Sequence, residues 1–158
     1  MKIKLKNGKA ASPKAISAVE AILGCRLSAS FRSFLQHNDG AEPETNIFHI
    51  GNNNECGVNE FIPLDQIPKE RRYIENIPTK AYPVAWAEGG NYVFIDESKG
   101  GAVFFWDHEV PEEIVALAPN FAAFLEMLEP FDVKSVKLKP GQVKSVWVDP
   151  EFLKRLKK

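Results

Sequence analysis

The chain has little cysteine, no long apolar run and no repeated or low-complexity segment, and each shortage closes off a class of protein. Cys25 and Cys56 are its only cysteines; two cannot form a disulfide framework, and they read as reduced thiols. No stretch approaches the roughly 20 apolar residues of a membrane-spanning helix. The start, Met1-Lys2-Ile3-Lys4-Leu5-Lys6, has no apolar block behind its charges, so no secretory signal is predicted and the expected location is cytoplasmic. No Cys or His pair has the tight spacing of a zinc site, and neither G-x-x-x-x-G-K-[ST] nor G-x-G-x-x-G occurs; no metal and no cofactor are expected.

What is present is enough apolar material for a core: 44% hydrophobic residues, 11 of them Phe, in 158 residues. That length suits one domain, expected to run over 1–158. Charge is unevenly placed. Residues 1–36 carry seven Lys/Arg and one Asp/Glu, residues 133–158 carry eight and two, and residues 37–132 carry five and eighteen, a net −13. An acidic middle argues against direct nucleic-acid binding, which would concentrate positive charge on the working surface, and suits a basic protein partner. The alternative is a solvated surface whose ends and middle neutralise each other.

Local signals predict helices first, antiparallel strands next and helices last, an α+β domain. Ser12 caps a helix that Pro13 opens and Gly24 ends, with Ile16, Val19, Ile22 and Leu23 as one apolar stripe. A second helix starts near Ser28, carries Phe31, Phe34 and Leu35, and stops at Asn38-Asp39-Gly40. Ile47–Ile50 is a strand, residues 51–57 form a polar loop holding Cys56, Phe61–Leu64 is extended, and Pro68–Glu75 is a short helix. The centre reads as a meander: Val84–Trp86, a Gly89-Gly90 turn, Asn91–Asp96, a turn over Glu97–Gly101, then Ala102–Asp107. Phe121, Phe124, Leu125 and Leu128 mark a helix that Pro130 terminates. Residues 133–138 and 143–148 form a late hairpin, and a last helix carries Phe152, Leu153 and Leu156.

Asp107-His108-Glu109 is the one dense titratable cluster with a histidine, and the enzyme alternative is a small hydrolase using it. Adjacent strand residues point to opposite faces, so Asp107 and His108 do not form a dyad on a strand, whereas Asp107 and Glu109 share a face. A polar strand end explains the cluster equally well. Glu55 beside Cys56 disfavours a thiolate. Acidic Glu88 argues against a phosphate cradle at Gly89-Gly90, which a hairpin turn explains. Trp86, Tyr92, Phe94, Phe104, Phe105 and Trp106 could stack bases, but at strand spacing half of such a set is core.

Three ordered stretches resemble the SUKH superfamily: Leu27 to Gly40 with its Phe34-Leu35 and Asn38-Asp39-Gly40 ending; Tyr82 to Asp96 with its Gly89-Gly90-Asn91; and Gly101 to Glu109 with Trp106-Asp107-His108-Glu109. Phe121-Ala122-Ala123-Phe124-Leu125 matches the closing helix, so the resemblance covers about 12–129. Ser28 stands where proline is usual, and Asp39-Gly40 replaces a double glycine. The resemblance implies an α+β fold with a strongly bent sheet and no catalytic residues. It implies an immunity protein that binds and neutralises a cognate bacterial toxin domain in a polymorphic or contact-dependent system, basic nucleases and deaminases being among such toxins. Fungal relatives imply the alternative of a regulatory scaffold. Phe34, Leu35, Gly40, Gly90, Asp96, Trp106 and Asp107 are the matching motif positions, expected to hold the fold. The expected partner surface is acidic: Asp39, Glu42 and Glu44 in one loop, Glu97 in a turn, and Glu109, Glu112 and Glu113 in another loop.

Overall fold

A computed structural model describes residues 3–51 and 54–131, with Gly141 and Trp147 beyond them. The late hairpin and last helix expected over 133–158 lie outside the described residues.

The first helix forms where the capping chemistry directs. Ser12 Oγ accepts the Ala15 N–H at 3.1 Å, α1 runs Pro13–Leu23, and Gly24 closes it at φ 68°. Ile16 and Val19 are buried, but Ile22 is 70% exposed, which corrects the four-residue stripe. Ile16, Val19 and Leu23 lie within a narrow arc of the helical wheel, and Ile22 stands about 100° from its centre. α2, Ala29–Asn38, buries Phe31, Phe34 and Leu35. Arg32 of α2 and Glu20 of α1 pair at 3.0 Å, and Glu20 also accepts the Leu27 N–H, which fixes the turn between the helices.

Six strands follow as a meander in sequence order: β3 (Ile47–Ile50), β4 (Asn54–Phe61), β5 (Ala81–Ala87), β6 (Asn91–Asp96), β7 (Ala102–Trp106) and β8 (Ile114–Ala118). Each pairs antiparallel with the next. β1 (Leu5–Lys6) and β2 (Glu42–Pro43) make a separate ribbon. The β4–β5 connection carries α3 (Ile67–Glu70), continued by a 3-10 turn over Arg71–Tyr73. α4, Phe121–Glu126, is capped by Asn120. The architecture is thus one α+β domain, helices at both ends of a curved antiparallel sheet.

Three readings change. Cys56 lies inside β4 and is buried, not in a polar loop. β8 was unassigned, because Ile-Val-Ala-Leu-Ala has no polar alternation to mark a strand. The Asp39–Glu44 loop contains β2, paired with a strand at the chain's start.

One sheet face packs on the helices through aromatic rings. Phe34 meets Phe61 and Phe121 at 4.7 and 5.1 Å, Phe31 meets Phe121 at 4.9 Å, and Phe48 meets Phe105 and Phe124 at 5.7 and 5.8 Å, all edge-on. The opposite face carries a cross-strand row, Trp86, Tyr92 and Trp106, in direct register. Glu70 of α3, 7% exposed, accepts from Trp86 Nε1 at 2.8 Å and Tyr92 OH at 2.7 Å, tying the β4–β5 connection to that row. Burial, then the bond to Glu70, pushes the Tyr92 hydroxyl's pKa up.

Candidate interaction surface

In an antiparallel meander, alternate connections share one end of the sheet. The β3–β4, β5–β6 and β7–β8 connections therefore lie together. The β5–β6 and β7–β8 connections supply Glu88, Asp107, Glu109, Glu112 and Glu113, Glu55 stands at the start of β4 beside them, and no Lys or Arg occurs in 50–56, 88–90 or 107–113.

Short contacts join the three connections. Glu88 Oε2 accepts the Gly57 N–H at 3.2 Å; a Cβ at Gly57 would stand 2.8 Å from Glu88 Oε1, so glycine is what admits this carboxylate. Gly90, at φ 84°, lies 3.8 Å from the His108 ring where a side chain would begin. Asn91 Oδ1 accepts from the His108 backbone N–H at 3.1 Å and lies 2.8 Å from His108 Nδ1. Since Oδ1 is an acceptor, Nδ1 carries the proton. Asp107 Oδ1 accepts the Glu109 N–H at 2.9 Å, and Glu113 N–H bonds Val110 O at 2.9 Å, giving the β7–β8 loop a fixed shape. Glu109, Glu112 and Glu113 are exposed on it, beside Val110 and Ile114, 43% and 40% exposed. His49 adds a titratable group near this end, 3.6 Å from Glu55 and 3.7 Å from Glu129.

Hydrogen bonds to backbone and to Asn91 already engage two members of the hydrolase cluster. His108 Nδ1 is committed to Asn91 and stands 3.9 Å from Asp107 Oδ1, whose own partner is the Glu109 N–H. Burial and then Glu88 push the Cys56 thiol up to about 11, which disfavours the thiolate. No group of three or more His, Cys, Asp or Glu able to hold a metal occurs among the described residues.

The other anticipated residues lie elsewhere. Asp39 caps α2 and accepts the Leu64 N–H at 2.7 Å; burial raises its carboxyl above the ordinary range. Glu42 accepts from Asn7 Nδ2 at 2.9 Å. Asp39 and Glu42 line, with Lys9, Glu60 and Asp65, a cleft of about 510 Å³; Glu44 is exposed nearby in sequence. Glu97 sits at the opposite end of β6 from Asn91, half-buried, and accepts from Tyr82 OH at 2.5 Å. The Tyr82 oxygen also accepts the Ser28 N–H at 2.9 Å, so Glu97 helps pin α2 to the sheet. The structure thus groups Glu109, Glu112 and Glu113 and separates them from Glu97. Glu55 and Glu88 were missed as members of the group; the signal that finds them is strand parity, not local sequence.

Four of the seven motif positions are buried, Gly40 and Asp107 are half-buried, and Gly90 is exposed in the β5–β6 connection. Phe34, Leu35 and Trp106 are buried. Asp96, 1% exposed, accepts from Ser98 N and Oγ and closes the β6–β7 turn. Gly40, at φ 67°, packs against Pro63.

No helix among the described residues is long and apolar enough to cross a membrane. No curated protein matches the chain. The model of the SMI1 / KNR4 family (SUKH-1) matches residues 10–127, which span both N-terminal helices, the meander and α4, and the chain belongs to that family.

Proposed function

We propose that this protein is a cytoplasmic immunity protein that binds and neutralises a cognate toxin domain, and that it acts by occlusion, not by catalysis. Membership of the SUKH-1 family supports a protein-binding role. The observation that carries the reading is the end of the sheet where Glu55, at the start of β4, and the β5–β6 and β7–β8 connections together supply six carboxylates and no Lys or Arg. A toxin that cleaves or deaminates nucleic acid needs a basic cleft, because phosphate contacts supply most of its affinity. An acidic, apolar-flanked blocker is drawn to such a cleft and covers it. Glu109, Glu112 and Glu113 are its leading contacts, with Glu55 and Glu88 beside them; Asp39, Glu42, Glu44 and Glu97 belong to other parts of the surface.

Co-expression tests the reading. The full chain, induced with toxin domains encoded beside its gene, should restore growth against one of them and co-purify with it. Growth that no neighbouring toxin domain impairs, or that the chain does not restore, would refute the immunity role.

A further inference from the structure

We propose that the outer edge of β8, unpaired among the described residues, is where the partner docks, by adding an extended, basic strand to the sheet. This rests on the binding reading above and names the partner's form. β8 is the last strand in the order. It pairs with β7 through Ile114↔Trp106, Ala116↔Phe104 and Ala118↔Val103. Its outer row of N–H and C=O groups pairs with no other strand among the described residues, although the curved sheet brings β3 near it.

Edge strands are ordinarily defended by Lys, Pro, bulges or very short length. β8 has five residues, Ile-Val-Ala-Leu-Ala, with no charge and no proline inside it, and a register shift at Leu117 is its one irregularity. Ile114 and Ala116 are exposed, and Val115, Leu117 and Ala118 half-buried. The opposite edge differs: β3 is already bonded at Ile47 to Glu129 by reciprocal backbone bonds of 2.9 and 2.8 Å.

Charge selects the occupant. Between Lys99 and Lys134 the chain has no Lys or Arg and seven carboxylates. Glu109, Glu112 and Glu113 lie just before the strand, and Glu126 and Glu129, also exposed, follow it. A guest strand therefore meets backbone partners along β8, apolar contacts at Ile114 and Ala116, and carboxylates at its ends. Main-chain pairing supplies affinity in such additions, and side chains supply choice. An alternation of apolar residues with Lys or Arg fits; a second copy of this chain would set the same acidic segments together.

The test uses the full chain, isotope-labelled, with an N-acetylated Lys-Val-Arg-Val-Lys-Val amide as probe and its Glu-for-basic counterpart as control. The basic peptide should shift the amide resonances of 114–118 and slow exchange at alternate residues there; the acidic peptide should do neither. Because strand N–H groups alternate in direction, one of Val115→Pro and Ala116→Pro, in the regularly paired part of β8, removes an outward donor and the other breaks the β7 ladder. The variant that keeps its Tm should weaken binding of the basic peptide, and of the toxin domain found by growth rescue, by roughly tenfold. Should both variants unfold, exchange on the unaltered chain decides alone. Slow exchange at every amide of 114–118 in the free protein would overturn the proposal, because the edge is then already occupied. So would a concentration-dependent dimer whose formation slows those amides. If Glu112→Lys/Glu113→Lys weakens toxin binding while the tolerated proline does not, the edge proposal falls and the binding reading stands; failure of growth rescue sinks the reading itself.

Discussion

Glu70 illustrates how a single carboxylate organises one face of this sheet. One oxygen accepts both the Trp86 indole N–H and the Tyr92 hydroxyl, so a residue from the β4–β5 connection satisfies two donors on adjacent strands. Removing it orphans both donors in a buried site, and each orphan costs more than a normal hydrogen bond contributes. Glu70→Ala should lower stability by about 2–3 kcal/mol, whereas Glu70→Gln keeps a carbonyl acceptor and should lose less than half of that. Equilibrium denaturant unfolding of the two variants checks the order; equal losses would mean the helix packing, not the bonds, sets the cost. Nothing in the sequence marks Glu70 for this role, since it sits among Lys69, Arg71 and Arg72 and reads as solvated charge. The partners lie 16 and 22 residues away and meet it only through the fold.

At the scale of elements, what was legible in the sequence is what local chemistry decides. Ser12 and Gly24 announce α1, and Gly89-Gly90 and Gly100-Gly101 announce two hairpin turns because those positions need φ of 69° to 84°. β8 was illegible because its five apolar residues carry no period. β4 was hidden by asparagines and a glycine that pair only with β3 and β5 already in place. The β1–β2 ribbon was hidden because its partners are far apart in sequence, and it has an energetic consequence. It sets Glu42 beside Glu60, whose carboxyl is raised, first by burial and then by Glu42. A carboxyl raised in the native state holds its proton more tightly there than when unfolded. Stability therefore falls as pH rises from the ordinary value of 4.5 through the native one, and stays lower above it. Glu60→Gln removes that penalty. Thermal unfolding should find the variant more stable than the parent at pH 7 and equal to it at about pH 3.5, where both states of the parent are protonated. A gain of the same size at both values would assign the effect to packing.

Across the whole molecule, the net −13 of residues 37–132 resolves into a polarity that only the meander's parity supplies. Of the five Lys/Arg of that segment, Lys80 and Lys99 fall at the strand ends opposite the six carboxylates, and Lys69, Arg71 and Arg72 lie in the long β4–β5 connection whose Glu70 reaches across the sheet face to Trp86 and Tyr92. The sequence alone reveals an acidic middle but not that its bases lie outside the carboxylate-bearing connections, which is why Glu97 looked equivalent to Glu112 and is not. A dipolar charge arrangement of this kind orients a basic partner before contact, an effect on association more than on the final affinity. Glu112→Lys/Glu113→Lys should slow association with the cognate toxin domain by roughly tenfold at low salt, with dissociation changed far less. The gap should close as salt rises past the concentration at which the screening length falls to about 8 Å. Both residues are exposed, so Tm should hold. Glu75→Lys, exposed in the β4–β5 connection and outside the acidic loops, separates local steering from net charge: it should leave the on-rate nearly unchanged. Surface-biosensor kinetics over a salt series measures all three proteins, and an on-rate indifferent to salt and to the double reversal would remove the acidic end from the binding surface.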